Sequence, residues 1–276
     1  MSKKSSTDLS VPGAPNVALS VVPDHMLADG AMGTETLRKY VLPPRILVVQ
    51  PTSKPPLDKH DAGTAILLPG EVILSSWSKA DSMSKTPIIF TPIYQFNEFT
   101  LDNPLEIHQS HGRVRERTFD SNSDLARRAM SRDASIREIP CPEMPDKRCR
   151  YVMRMNFLWM ITSSESNTGF TPCFVSFKRT EANSARALNT LIMARQAPIF
   201  GCSFAAVVGK RSNDRGIWYG FDITNPPLEF SPWVSDPELY QKFKAAHEAA
   251  KEAHDAELFE ISDADEGVVE SVNADF

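Results

Sequence analysis

The segment Tyr151–Ile161 carries the strongest constraint in the chain. Period two puts Tyr151, Met153, Met155, Phe157, Trp159 and Ile161 on one face, the signature of a strand with one buried side. Pro172–Arg179 alternates again, with Cys173, Val175 and Phe177 on one side and Phe174, Ser176 and Lys178 on the other. Two such strands in succession call for a sheet that buries a single face. Proline numbers 21 and glycine 12 in 276 residues, a balance against long helices throughout and against a glycine-rich nucleotide fold.

Other segments extend the sheet. Arg45–Gln50 is entered through Pro43-Pro44 and closed by Pro51. Ala65–Leu68 and Val72–Trp77 flank the turn signal Pro69-Gly70. Ile88–Phe96 is apolar, with Pro92 marking an edge or a bulge. Phe204–Lys210 and Gly216–Ile223 form a hairpin across Ser212-Asn213-Asp214. Between strands lies one helix, with Thr180 as N-cap, Ala185, Leu188, Leu191 and Ile192 on one face, and Pro198 beyond its end. A second helix covers Asp236–Ala253, with Pro237 in its first turn and Leu239, Phe243, Ala246 and Ala250 as its stripe. The fold class is mainly β (α+β): an OB-like, partly open β-barrel with an inserted helix and a C-terminal helix. The organisation is a disordered leader over 1–35, a β-rich body over 36–235, the helix over 236–253 and an acidic disordered tail over 254–276. The stretch 102–150 is polar and arginine-rich and reads as an excursion with a short helix near Ser123–Met130.

Charge is distributed unevenly. The formal net charge is −5, from 30 basic and 35 acidic residues. Nine carboxylates follow Lys251 with no further Lys or Arg, so residues 1–251 keep 30 cations against 26 carboxylates, a net of +4. Lys178, Arg179, Arg186, Arg195, Lys210, Arg211 and Arg215 crowd one segment against Glu181 and Asp214 alone. A block of one sign steers and holds a polyanion, or serves as a solvated face. In Gly216–Ile223 the core face is Ile217, Tyr219, Phe221 and Ile223, leaving Trp218 outward between Gly216 and Gly220. Phe174 lies outward in the same way, near Lys178. Cations beside exposed aromatics suit single strands, because phosphates follow the charge and bases stack on the rings. Arg45, on the first strand candidate, and Arg154, on the Tyr151–Ile161 candidate, join that set. The alternative is that Trp218 lies under a loop or helix as ordinary core.

No catalytic pattern nominates itself: G-x-S-x-G, H-E-x-x-H and G-x-x-x-x-G-K-[ST] are all missing. His108 with His111, and Cys141 with Cys149, have spacings that fit no standard zinc site. No metal or other cofactor is expected, and the chain reads as a non-enzyme. No run of 18 apolar residues marks a membrane span, and Met1–Ser6 lacks the apolar stretch of a signal peptide. Four cysteines do not make a disulfide framework, which favours a reducing cytoplasm.

The tail Glu257-Leu258-Phe259-Glu260-Ile261-Ser262-Asp263-Ala264-Asp265-Glu266 runs on to Asn273-Ala274-Asp275-Phe276. An acidic tail closing on Phe, behind a basic β body, resembles the single-stranded DNA-binding proteins of tailed bacteriophages. The pattern Phe177-Lys178-Arg179, Ala187–Ile192, Ala197–Phe200 and Gly216–Tyr219 looks like the strand–helix–hairpin of phage replication-module proteins. The resemblance covers about residues 150–225 and the tail. It implies an OB barrel that coats single-stranded DNA in replication or recombination within the host cytoplasm. It also implies that Asp263, Asp265, Glu266, Glu270, Asp275 and Phe276 recruit a phage DNA polymerase or helicase and compete with DNA for the body. A homodimer is compatible with this reading. The competing expectation is a structural or accessory virion-type protein with a solubilising tail.

Overall fold

The computed structural model describes residues 44–53, 57–68, 70–79, 86–162, 170–178, 181–213 and 216–256, and every structural statement below refers to them. All belong to one unit, Leu42–Phe276. The expected leader over 1–35, the tail beyond 256, Arg179, Thr180 and Arg215 lie outside the described residues.

Ten strands build one sheet: β1 (Arg45–Val48), β2 (Thr64–Leu68), β3 (Val72–Ser76), β4 (Ile88–Asp102), β5 (Val114–Thr118), β6 (Glu138–Pro140), β7 (Arg148–Thr162), β8 (Phe170–Lys178), β9 (Phe204–Asn213) and β10 (Gly216–Thr224). Eight of them follow the order β10-β9-β4-β7-β8-β1-β2-β3, while β5 adds to β4 and β6 to β7. The sheet curls into an open half-barrel, the OB-like α+β architecture expected from the sequence. Every pairing is antiparallel except β1 with β8, which meet in parallel at Arg45 and Phe174.

The long central pair β4–β7 sets the curvature. Pro92 has no N–H to give to β7, and the register slips between Pro92 and Tyr94. A bulge there bends the strand and deepens its twist, which is how a long strand serves a curled sheet. Pairing with β9 has already ended at Phe90, so the proline interrupts no second ladder.

The concave face holds the main core. Phe90, Phe157, Trp159, Phe177, Phe204 and Phe221 are buried there together, and the rings of Phe90 and Trp159 stack at 3.7 Å. Each such side chain contributes roughly 1.5–3 kcal/mol by leaving water. The helix α2 (Ala182–Arg195) fills the gap beside β10 with Ala185 and Leu188. It starts without a side-chain cap, Glu181 standing at the cap position. β10 ends the strand order, yet its free edge is covered. The Gln50 side-chain amide donates to Tyr219 O and accepts from Tyr219 N–H, both at 2.9 Å. Ser184 Oγ and Arg211 Nη2 both donate to Phe221 O. These side chains occupy the groups that another strand would otherwise claim.

The convex face divides into two zones. The helix α3 (Pro237–Asp255) starts at Asp236, whose carboxylate accepts from Glu238 N–H. It lays Phe243 against Ile93 and Phe200. It runs past the expected end at Ala253, because His254 still packs on Tyr94, Phe96 and Phe119. The second zone is ionic. Glu98, wholly buried, stands 2.6 Å from Arg117 Nε and 3.7 Å from Arg154 Nη1. Asp102 receives Arg154 Nη2 at 2.8 Å and lies 3.7 Å from Arg113 Nε.

The stretch 102–150 is therefore no loose excursion. β5 and β6 extend the sheet, and the helix α1 (Asp124–Met130) is capped by Ser123 Oγ, which accepts from Ala126 N–H. Leu125, Ala126 and Ala129 close over Phe99. Arg117 reaches Glu98 on β4, whereas Arg115, Arg128 and Arg150 pair within the stretch, with Glu143, Asp124 and Glu138.

Candidate nucleic-acid interface

The hairpin β9–β10 pairs Trp218 with Arg211 and Tyr219 with Lys210. Tyr219, Phe221 and Ile223 face the core as expected, while Ile217, near the hairpin end, is exposed. Trp218 lies on the opposite face and is half-buried. Its glycine neighbours differ: Gly216 is open, but a Cβ at Gly220 would lie 3.1 Å from Arg211 Nη1 and 3.2 Å from Glu181 Oε1. The platform is thus open on one side and walled on the other.

Sequence reasoning missed Trp77. It follows β3, contacts the Tyr219 ring edge-on at 5.5 Å, and carries the exposed Lys210 ammonium 5.4 Å above its own ring. Gly63 makes this approach possible. Its φ is +92°, and a Cβ there would sit 2.8 Å from both Trp77 Cβ and the Tyr219 ring. Lys79, also exposed, lies two residues beyond Trp77. The signal in the sequence was a Trp at the end of a strand, with nothing local to say which cation would cover it.

Several expected contacts are spent elsewhere. Phe174 is buried against Phe96, with Phe119 and Leu158 beside it, so it is not an open platform. It is outward as expected, but the convex face is covered at that point. Arg154, 4% exposed, belongs to the Glu98–Asp102 network and is not a phosphate contact. Arg45 is buried at the β1–β8 junction. Arg195 donates to Ser203 O, Pro232 O and Asn225 Oδ1, and lies over the Phe204 and Trp233 rings. Arg211 is held by Ser184 Oγ, Phe221 O and Asp222 Oδ1. Lys178 is half-buried and in register with Arg154, whereas Arg186 is exposed on α2. The remaining rim set is Trp77, Lys79, Lys210, Ile217 and Trp218, with Arg186 on the helix beside β10.

His108 and His111 do not join Cys141 and Cys149 in a metal centre. His108 Nε2 is 3.0 Å from Asn103 O, and His111 Nδ1 lies against Ser110 Oγ. Among the described residues no group of three or more His, Cys, Asp or Glu stands ready to hold a metal ion. Cys141 and Cys149 are buried free thiols. Burial first, and the neighbouring Cys141 next, push the Cys149 thiol up to about 11. Among the described residues no helix is long and apolar enough to cross a membrane.

Fold and rim together define an OB-like half-barrel whose accessible chemistry is aromatic and cationic. The model of the Pam3 phage gp34-like protein family matches residues 16–255, and the chain belongs to that family. No curated protein and no solved structure matches it.

Proposed function

We propose that this phage protein binds single-stranded DNA at the β9–β10 end of the half-barrel, coating strands exposed during replication or recombination in the host cytoplasm, without catalysis. The observation that carries this reading is the exposed Lys210 ammonium above the Trp77 ring, with Trp218 half-exposed on the other side of the same hairpin. A stacked base is worth roughly 1–3 kcal/mol by alanine substitution and is tolerated in any sequence. Lys79, Lys210 and Arg186 supply phosphate contacts, and the seven carboxylates of 257–276 with the terminal Phe276 recruit a polymerase or helicase.

The test is an oligo-dT titration read by tryptophan fluorescence across salt concentrations. Binding should weaken with a log K against log[salt] slope of about −0.7 for each phosphate neutralised. A flat fluorescence signal at low salt, with no shift in mobility, would sink the proposal.

A second reading, a structural or accessory virion protein, draws support from the exposed apolar loop that follows β10. Stable association with particles, without affinity for DNA, would favour it.

A further inference from the structure

Across β4, β7 and β8 the side chains of Glu98, Arg154 and Lys178 stand in one row on the convex face, so two cations are directly opposite one another. Like charges in that position repel, and burial raises the cost. Glu98 is shared by Arg117 and Arg154, and Asp102 by Arg154 and Arg113. Two carboxylates are thus already divided among three arginines. Arg45, level with Phe174 on the same face, and Lys178 are engaged as well. Among the described residues the face holds these five cations against two carboxylates, and Arg45, Arg113 and Arg154 are all buried. Arg150, further along β7, has Glu138 for itself.

Buried charge has to be balanced, so further anions belong over this face. The described helices stack elsewhere. α1 and α2 pack on the core side, through Ala126 and Leu188, and α3 covers the Ile93–Phe96 end. The C-terminal segment begins at that end. α3 stops at Asp255, with His254 against Phe96 and Phe119. Residues 257–266 then carry Glu257, Glu260, Asp263, Asp265 and Glu266 with no cation, and three apolar side chains, Leu258, Phe259 and Ile261. Residues 1–41 offer no such charge, since Lys3, Lys4, Arg38 and Lys39 offset Asp8, Asp24, Asp29 and Glu35. The reach is sufficient. Lys178 lies two strands over and two residues along from Phe96, roughly 12 Å by sheet spacing, and the chain from Phe259 to Asp263 spans about 13 Å when extended.

We infer that, with no partner bound, residues 257–266 lie back across the convex face of their own chain. Phe259 packs against Phe96 and Phe174, and the carboxylates of Glu260, Asp263 and Asp265 sit among Arg154, Lys178 and Arg45. A protein that engages the tail must first lift it from this face. This goes beyond the DNA-binding reading and does not depend on it.

The experiment uses the full chain without nucleic acid or partner. In hydrogen–deuterium exchange, 257–266 should exchange at least about tenfold more slowly than 267–276. Equal rates in the two halves of the tail overturn the inference, as does protection of 1–41 with none in 257–266. Carbodiimide, which joins a lysine amine to a carboxylate without a spacer, should link Lys178 to Glu260, Asp263 or Asp265. Absence of such a link overturns it too. In an equal mixture of isotope-labelled and unlabelled protein the link should stay within one isotope; links of mixed isotope would assign the face to a neighbour's tail and overturn the inference. Phe259→Ala should erase both the protection and the link while circular dichroism stays unchanged. A folded variant that keeps both shows that Phe259 is not the anchor, and the inference falls. None of these outcomes touches the oligo-dT result.

Discussion

At the scale of single residues, the structure separates cations that are available from cations that are committed. Arg195 and Arg211 look alike in sequence to Lys210, yet both end on backbone carbonyls. Lys210→Ala should weaken oligo-dT binding about tenfold while leaving the melting temperature nearly unchanged, as read by titration and by calorimetry. Trp77→Ala should weaken binding per folded molecule and lower the melting temperature as well, because Trp77 also packs on the main core and the Tyr219 ring. Phe174→Ala should do the reverse, lowering stability by about 3–5 kcal/mol, with DNA affinity per folded molecule preserved. Glu98 shows the cost of a buried charge. Glu98→Ala takes a carboxylate from Arg154, which is buried, and from Arg117, which is partly exposed, an expected loss of about 3–5 kcal/mol in urea unfolding. Cys149 adds a pH dependence. Its folded thiol ionises near 11 while a thiol exposed in the unfolded chain ionises near 9.0, so the folded state holds the proton longer. The stability it contributes is intact below pH 9 and is lost as pH rises from 9 toward 11, measurable as a falling melting temperature that Cys149→Ser makes shallower. The Cys173 and Cys202 thiols, also pushed up by burial, add to the fall.

Among elements, the β10 edge is the sensitive point. A short side chain replaces a whole strand there, since Gln50 satisfies both polar groups of Tyr219. Gln50→Ala should cost about 1–3 kcal/mol, and hydrogen exchange at Tyr219 should accelerate more than at neighbouring core amides. Gly63→Ala attacks the same closure from the other side, through the positive φ and the 2.8 Å approach to Trp77. The period-two segments were legible as β7, β8 and the β9–β10 hairpin, and Ser123–Met130 as α1, because caps and alternation are local signals. β5 and β6 were not legible. Val114–Thr118 alternates weakly, and Glu138–Pro140 is three residues long, so each becomes a strand only because β4 or β7 offers an edge.

For the molecule as a whole, the net charge of −5 says little until it is divided between a basic body and the acidic residues after Lys251. If the tail competes for the rim, removing 257–276 should raise oligo-dT affinity, most strongly at low salt where charge repulsion is least screened. An unchanged affinity would leave the tail with partner recruitment alone.

The sequence by itself determined eight of the ten strands, most of their inward faces, both long helices and the curled β architecture, because those follow from side-chain period and turn chemistry within a few residues. Only the tertiary structure decided which outward groups stay in reach of a ligand. Arg154 meets Glu98 and Asp102 across the β4–β7 ladder, Phe174 disappears beneath Phe96 and Phe119, and Trp77 comes under Lys210 from the far end of the strand order. Period tells a side chain which way to point. What it meets there depends on pairings between segments far apart in the chain, and no local pattern carries that information.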